Sequence, residues 1–156
     1  MENVKLLAEE HGCRMGLLGN MLITVFDSTG KMEQLKLIER IQDPLVKEHP
    51  KLISLTVIQA VKLSTPSDEF RDASARLQAR YADNLVCSAI VVAATGLSAV
   101  IARSFLAAYQ LMVKPKAPQQ TFRDIKSAVE WIQKTAPQPS ALVGVTPAVE
   151  AFAAKK

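Results

Sequence analysis

The stretch Leu85–Val113, LVCSAIVVAATGLSAVIARSFLAAYQLMV, constrains the fold more than any other, because Arg103 is its single charged residue. No charge falls between Leu85 and Ala102, which just reaches the ~18 residues at which a membrane-spanning helix has to be considered. The local chemistry favours a different solution. Ala89-Ile90-Val91-Val92 is rich in β-branched residues, as in strands buried on both faces. Thr95-Gly96 marks a turn, after which Leu97, Val100, Ile101, Ala108 and Leu111 return at helical spacing. A strand turning at Gly96 into a packed helix accounts for the pattern without a bilayer. A true span would also bring aromatic belts and an asymmetric basic flank, and the sequence has neither here.

The rest of the chain alternates between strand and helix signals. Residues 1–12 form a lead-in, either a helical turn or an extra strand. Cys13–Leu18 and Met21–Phe26 flank Gly19-Asn20 and read as a hairpin. Asp27-Ser28-Thr29-Gly30 offers side-chain oxygens to a following helix N-terminus. From Lys31 to Glu48 the residues Leu35, Ile38, Ile41 and Leu45 share one stripe, and Pro44 predicts a kink or break near Gln42-Asp43. Lys51–Ala60 is a third strand. Ser64-Thr65-Pro66-Ser67-Asp68 opens a helix that runs to about Asn84, with Phe70, Ala73, Leu77 and Tyr81 inward.

After the central apolar stretch, the proline segment Lys114–Pro118 stops the helix. Gln119–Arg123 then makes a short strand, and Asp124 caps a helix whose inner face is Ile125, Ala128, Val129 and Ile132. In the final segment, Thr146 and Pro147 start a short helix that is marginal unless it packs on something. The order β-β-α-β-α-β-α-β-α predicts an α/β fold. A mixed, mostly parallel sheet of four to five strands would carry helices packed on it. Residues 1–136 read as the domain, and 137–156 as a linker and helical tail.

Composition and motifs exclude several function classes. With 156 residues, 22% charged and 49% hydrophobic, the chain has enough apolar material for one core. The net charge of +4 is spread along the sequence and only 5% of residues are aromatic, so no nucleic-acid partner is expected. Neither GxGxxG nor GxxxxGK[ST] occurs, and no nucleotide or other cofactor is expected. His11 and His49 lie far apart without a constellation of acidic residues or cysteines, so no metal site is expected. Cys13 and Cys87 form no CxxC pair and read as buried thiols of a reducing compartment. The N-terminus lacks an apolar core of signal-peptide length, and a cytoplasmic location is the expectation.

The element order, the serines after the third strand and the segment Thr121-Phe122-Arg123-Asp124-Ile125-Lys126-Ser127-Ala128-Val129-Glu130-Trp131-Ile132 resemble a STAS-type domain. More narrowly, they are similar to the STAS-like group of small bacterial proteins related to anti-sigma-factor antagonists. The resemblance covers roughly residues 13–136. In antagonist members a serine at the start of the second helix, within an Asp-Ser-Ser-Gly-like motif, is phosphorylated by a partner kinase, and the added charge switches binding. The corresponding region here is Leu63–Asp68, which lacks that motif and already carries negative charge at Asp68 and Glu69. Ser64 and Ser67 are the residues at that position, and helix capping is a sufficient role for either.

The resemblance implies a non-catalytic protein-interaction or regulatory module whose protein partner the sequence does not name. The third helix is apolar on more than one face, which predicts an interaction surface of Leu97, Ile101, Phe105 and Leu111 and a self-associating homodimer. An alternative is a carrier of an apolar small molecule or lipid. STAS-like folds resemble lipid-transfer domains in outline, and the core is aliphatic with few large aromatics. No catalytic residues are assigned, because no nucleophile and base share a motif.

Overall fold

The computed structural model describes residues 3–28, 30–59, 67–93, 96–112, 116–136 and 144–154. Strands β1 (Lys5–Glu10) and β2 (Cys13–Leu18) meet at His11-Gly12, whose φ angles are 54° and 71°. Two consecutive positive φ values are the pattern of a type I′ turn, which matches the natural twist of a hairpin. β2 turns into β3 (Met21–Phe26) through Gly19-Asn20, where only Gly19 has a positive φ, 61°. That is the type II′ pattern. The N-terminal lead-in is thus an extra strand, and the sheet gains a sixth member.

β3, β4 (Leu52–Ile58), β5 (Leu85–Val92) and β6 (Gln119–Phe122) then pair in parallel, giving a sheet whose spatial order β1-β2-β3-β4-β5-β6 follows the chain. Helices α1 (Met32–Glu48), α2 (Asp68–Tyr81) and α3 (Gly96–Met112) fall between the parallel strands, and α4 (Ile125–Thr135) and α5 (Thr146–Ala154) follow them. The expected mixed, mostly parallel α/β sheet is therefore the observed one. Among the described residues, no helix is long and apolar enough to cross a membrane. The apolar run from Leu85 divides into β5 and α3 on either side of its turn signal.

Because strand side chains alternate between faces, the sheet builds two separate layers. On one face Ile53, Leu55, Val57, Cys87, Ala89 and Val91 meet Ala128, Val129 and Ile132 of α4 and Val149, Phe152 and Ala153 of α5. On the other, Leu22 and Leu52 meet Leu37 and Leu45 of α1, while Ile58, Ile90 and Val92 meet Ala99, Ala102 and Leu106 of α3. Phe122 and Trp131, with ring centroids 5.7 Å apart, seal the rim beside α4.

Several local devices differ from the sequence expectation. α1 runs unbroken through Pro44, which faces solvent. The carbonyl four residues earlier belongs to exposed Arg40, where water can replace the missing helical bond. The side chains of Asp27 and Ser28 do not cap α1. Gln34 does this work from inside the helix: its Oε1 accepts from Lys31 N–H at 3.4 Å, and its Nε2 donates to the carbonyls of His11 at 2.9 Å and Ser28 at 2.7 Å. One fully buried amide thus joins the β1–β2 turn to the start of α1.

α5 packs on the domain rather than fraying. The N–H of Val149 donates to Val145 O at 3.0 Å, so the helix starts one residue earlier than the Thr146-Pro147 cap signal implies. Its C-terminal end is held by Arg14 of β2, only 3% exposed. The Arg14 guanidinium donates to Phe152 O at 2.6 Å and Ala153 O at 3.4 Å, and pairs with Glu9 at 2.6 Å and Asp27 at 3.6 Å. It also lies 5.6 Å from the centroid of the Phe152 ring.

Candidate functional site

The layer between the sheet and α1–α3 is incompletely filled. Among the described residues it leaves a partly open cavity of about 240 Å³, floored by β3–β6 and walled by the three helices. That exceeds the ~150 Å³ of an engineered apolar cavity that accepts benzene. The vacancy follows from residue sizes. A strand covered by helices on both faces is ordinarily a continuous apolar run. β4 and β5 instead place Ser54 and Ser88 side by side in register on the helix-covered face, with Thr56 one step further along β4. These short side chains leave space where Leu or Ile would reach the helices.

The parallel register extends the polar floor. Ser88 also pairs with Gln119 of β6, so Ser54, Ser88 and Gln119 form one row across three strands, about 10 Å long from the strand spacing. Gln78 of α2 donates from Nε2 to Gln119 Oε1 at 3.3 Å and closes the end of the row. Above the floor hangs Gln42 of α1, only 8% exposed. Further along the strands the lining turns apolar, with Phe26, Ile58, Ile90, Ala102 and Leu106. Among the described residues that line the cavity, none carries a formal charge.

A cluster of charges lies just outside the wall. The Tyr81 hydroxyl donates to Asp43 Oδ1 at 2.6 Å, and Arg80 donates to the same carboxylate from Nε at 2.9 Å and from Nη2 at 2.7 Å. The hydroxyl of Tyr81, then the Arg80 guanidinium, hold the Asp43 carboxyl below its usual range. Burial, then the bond to Asp43, push the Tyr81 hydroxyl well above its ordinary value. Tyr81 is therefore fixed as a neutral donor that ties α2 to α1, and its ring faces the cavity. The two thiols lie elsewhere. Burial, then the charge of Asp27, push Cys13 up to about 12, and burial pushes Cys87 up to about 11. Neither sits in the cavity lining, and Cys87 faces the α4–α5 side.

The residues singled out in the sequence do not gather at this cavity. Ser67 is the N-cap of α2, its Oγ accepting from Phe70 N–H at 3.1 Å, and Ser64 lies outside the described residues. On α3, Leu97 is 75% exposed and its neighbour Val100 is 57% exposed. Ile101, half-buried, contributes to the cavity wall. Phe105 and Leu111 lie on α3, but their side chains fall outside the described residues. The polar part of the cavity lining includes Ser54, Ser88, Gln42 and Gln119, none of which the sequence reading identifies. The available signal is parity, since Ser54 and Thr56 alternate with Ile53, Leu55 and Val57 in a strand otherwise dense in branched and apolar residues.

A fold of this kind already exists among solved structures. The chain is similar to an uncharacterised protein of the DUF3478 family from Shewanella loihica PV-4, described as having a SpoIIAA-like fold. The TM-score is 0.55 at 10% sequence identity, over 84% of this chain and 96% of that one. This similarity is one of fold, and it makes the architecture SpoIIAA-like, that is, STAS-like. No protein-family model matches the sequence. No curated protein matches it either.

Proposed function

We propose that this chain is a non-catalytic carrier or sensor module that binds a largely apolar, uncharged small molecule between its sheet and α1–α3. The observation that carries this reading is the cavity itself, of ligand-holding size and lined without charge. The cavity lies in the serine-floored layer, not in the aliphatic core under α4 and α5. Non-catalysis is supported by the chemistry nearby. The Tyr81 hydroxyl is committed to Asp43, and both thiols have raised pKa values away from the cavity. A ¹⁵N NMR titration with 1-octanol tests the reading. Saturable shifts are expected at Ser54, Ser88, Ile90 and Ala102. Ala102→Phe, which projects a ring into the cavity, should abolish them while leaving the α4–α5 amides in place. Absence of saturable shifts in the wild type would remove the proposal.

A second reading, a self-associating interaction module of STAS-like type, is supported by a different observation. Leu97 and Val100 expose large apolar side chains one helical turn apart at the start of α3. Sedimentation equilibrium over a wide concentration range should then reveal a dimer that Leu97→Glu/Val100→Glu weakens at least tenfold. A monomer at every concentration would rule it out.

A further inference from the structure

We infer that the cavity selects an uncharged amphiphile, with one neutral hydrogen-bonding group seated over Ser54 and Ser88 and a hydrocarbon body lying against Ile58, Ile90 and Leu106. This rests on the small-molecule reading above and adds the chemical class and orientation of the ligand. Along the strands one register row of the lining is polar, Thr56 and Ile90 form a mixed row beside it, and Phe26 and Ile58 lie beyond. Ser54, Ser88 and Gln119 lie in one register row, and Gln42 enters from α1 on the opposite wall. Phe26 and Ile58 close the C-terminal ends of β3 and β4, and Ala102 and Leu106 of α3 cover Ile90.

The polar end has unused hydrogen-bonding capacity. Among the described residues, the side chains of Ser54, Ser88 and Gln42 have no hydrogen-bond partner. Yet no buried side-chain polar atom among those residues is sealed off without one, so these groups open onto the cavity space. Gln42 is the most telling of the three, because a primary amide more than nine-tenths buried supplies two donors and an acceptor to whatever fills the space. Hydroxyls and an amide present both donors and acceptors, which suits an alcohol, amide or ester group. A pure hydrocarbon would leave them unsatisfied, at a cost comparable to a lost hydrogen bond for each.

Charge is selected against by the same lining. An anion or cation placed here would lose its hydration and find no counter-charge on the wall. Beside the cavity-lining Tyr81, the Asp43 carboxylate is already bound to the Arg80 guanidinium and to the Tyr81 hydroxyl.

A matched probe series on the full chain tests the inference by NMR titration. The probes are 1-octanol, octanamide, octanoate, octylamine and octane, at pH 7. The two neutral polar probes are expected to bind at least tenfold more tightly than octanoate or octylamine, and more tightly than octane. Ser54→Ala/Ser88→Ala should weaken 1-octanol about tenfold, the loss of one to two hydrogen bonds, and leave octane unchanged. Octanoate binding as tightly as 1-octanol would overturn the inference, as would equal affinity for 1-octanol and octane. Equal affinity for octane would leave the small-molecule reading standing, whereas tight octanoate binding would leave a ligand site there and remove its uncharged character. Failure of every probe to bind would sink both. The wild-type series alone decides the matter should the serine variant fail to fold.

Discussion

Phe152→Ala is expected to lower the stability of the whole domain by about 3–4 kcal/mol, within the range for truncating a buried aromatic ring. Phe152 is 8% exposed and belongs to the core under α4 and α5. Its ring lies over Gly16 of β2, where an added Cβ would stand 2.6 Å from Cζ of Phe152 and 2.5 Å from Cγ1 of Val4. The missing side chain at Gly16 is therefore space that the ring of Phe152 and the side chain of Val4 share. The urea midpoint should fall with an unchanged slope, since the surface exposed on unfolding stays nearly the same. Phe152→Leu should cost less than about 1.5 kcal/mol. A loss below 1 kcal/mol for the alanine variant would mean that α5 opens independently of the sheet.

Arg14→Met is the second large effect, expected at about 2–3 kcal/mol. Methionine preserves most of the hydrocarbon stem but removes the donors that meet Phe152 O and Ala153 O. Those carbonyls end α5, where a helix has unpaired acceptors and a partial negative charge, so the guanidinium satisfies both at once. Glu9 and Asp27 are each about half exposed and can return to water when their partner is lost, which keeps the penalty below that of orphaning a buried carboxylate. Hydrogen exchange separates this loss from a general one. Amides of α5 should lose protection well before those of β3–β5. Uniform loss across the chain would instead make Arg14 a simple core residue.

Much of the architecture is legible in the sequence because it rests on short-range rules. The β5–α3 division at Gly96, the Asp124 cap of α4 and the Ser67 cap of α2 each follow from residues close together in the chain. β1 was harder, because KLLAEE has no clean alternation and forms an edge strand whose middle alone is half-buried. Arg14 carries no local signal of its role, since its partners Phe152 and Ala153 lie more than a hundred residues away.

The cavity was least legible. A serine in a strand rich in branched residues carries little information until register is known. Only the pairing of Ser54 with Ser88, and of Ser88 with Gln119, turns three ordinary residues into a floor. Length and composition point to an aliphatic core, and that core exists under α4 and α5. The unfilled layer lies on the other side of the same strands, where one-residue alternation replaces methyl groups with hydroxyls.

The strict chain order of the sheet also bears on how the protein folds. Every strand pairs with the one before it, so the sheet can grow by adding one strand at a time at a single edge, the first two steps through hairpin turns and the next three each through one helical crossover. The contact between β2 and α5 is different in kind, since Arg14 and Phe152 are separated by 138 residues. Closing so long a segment has to precede any reward from its contacts, which slows the step. The patch of β2 that α5 covers is thus expected to close last during refolding, and pulse-labelling hydrogen exchange should show α5 amides gaining protection after those of β3–β5.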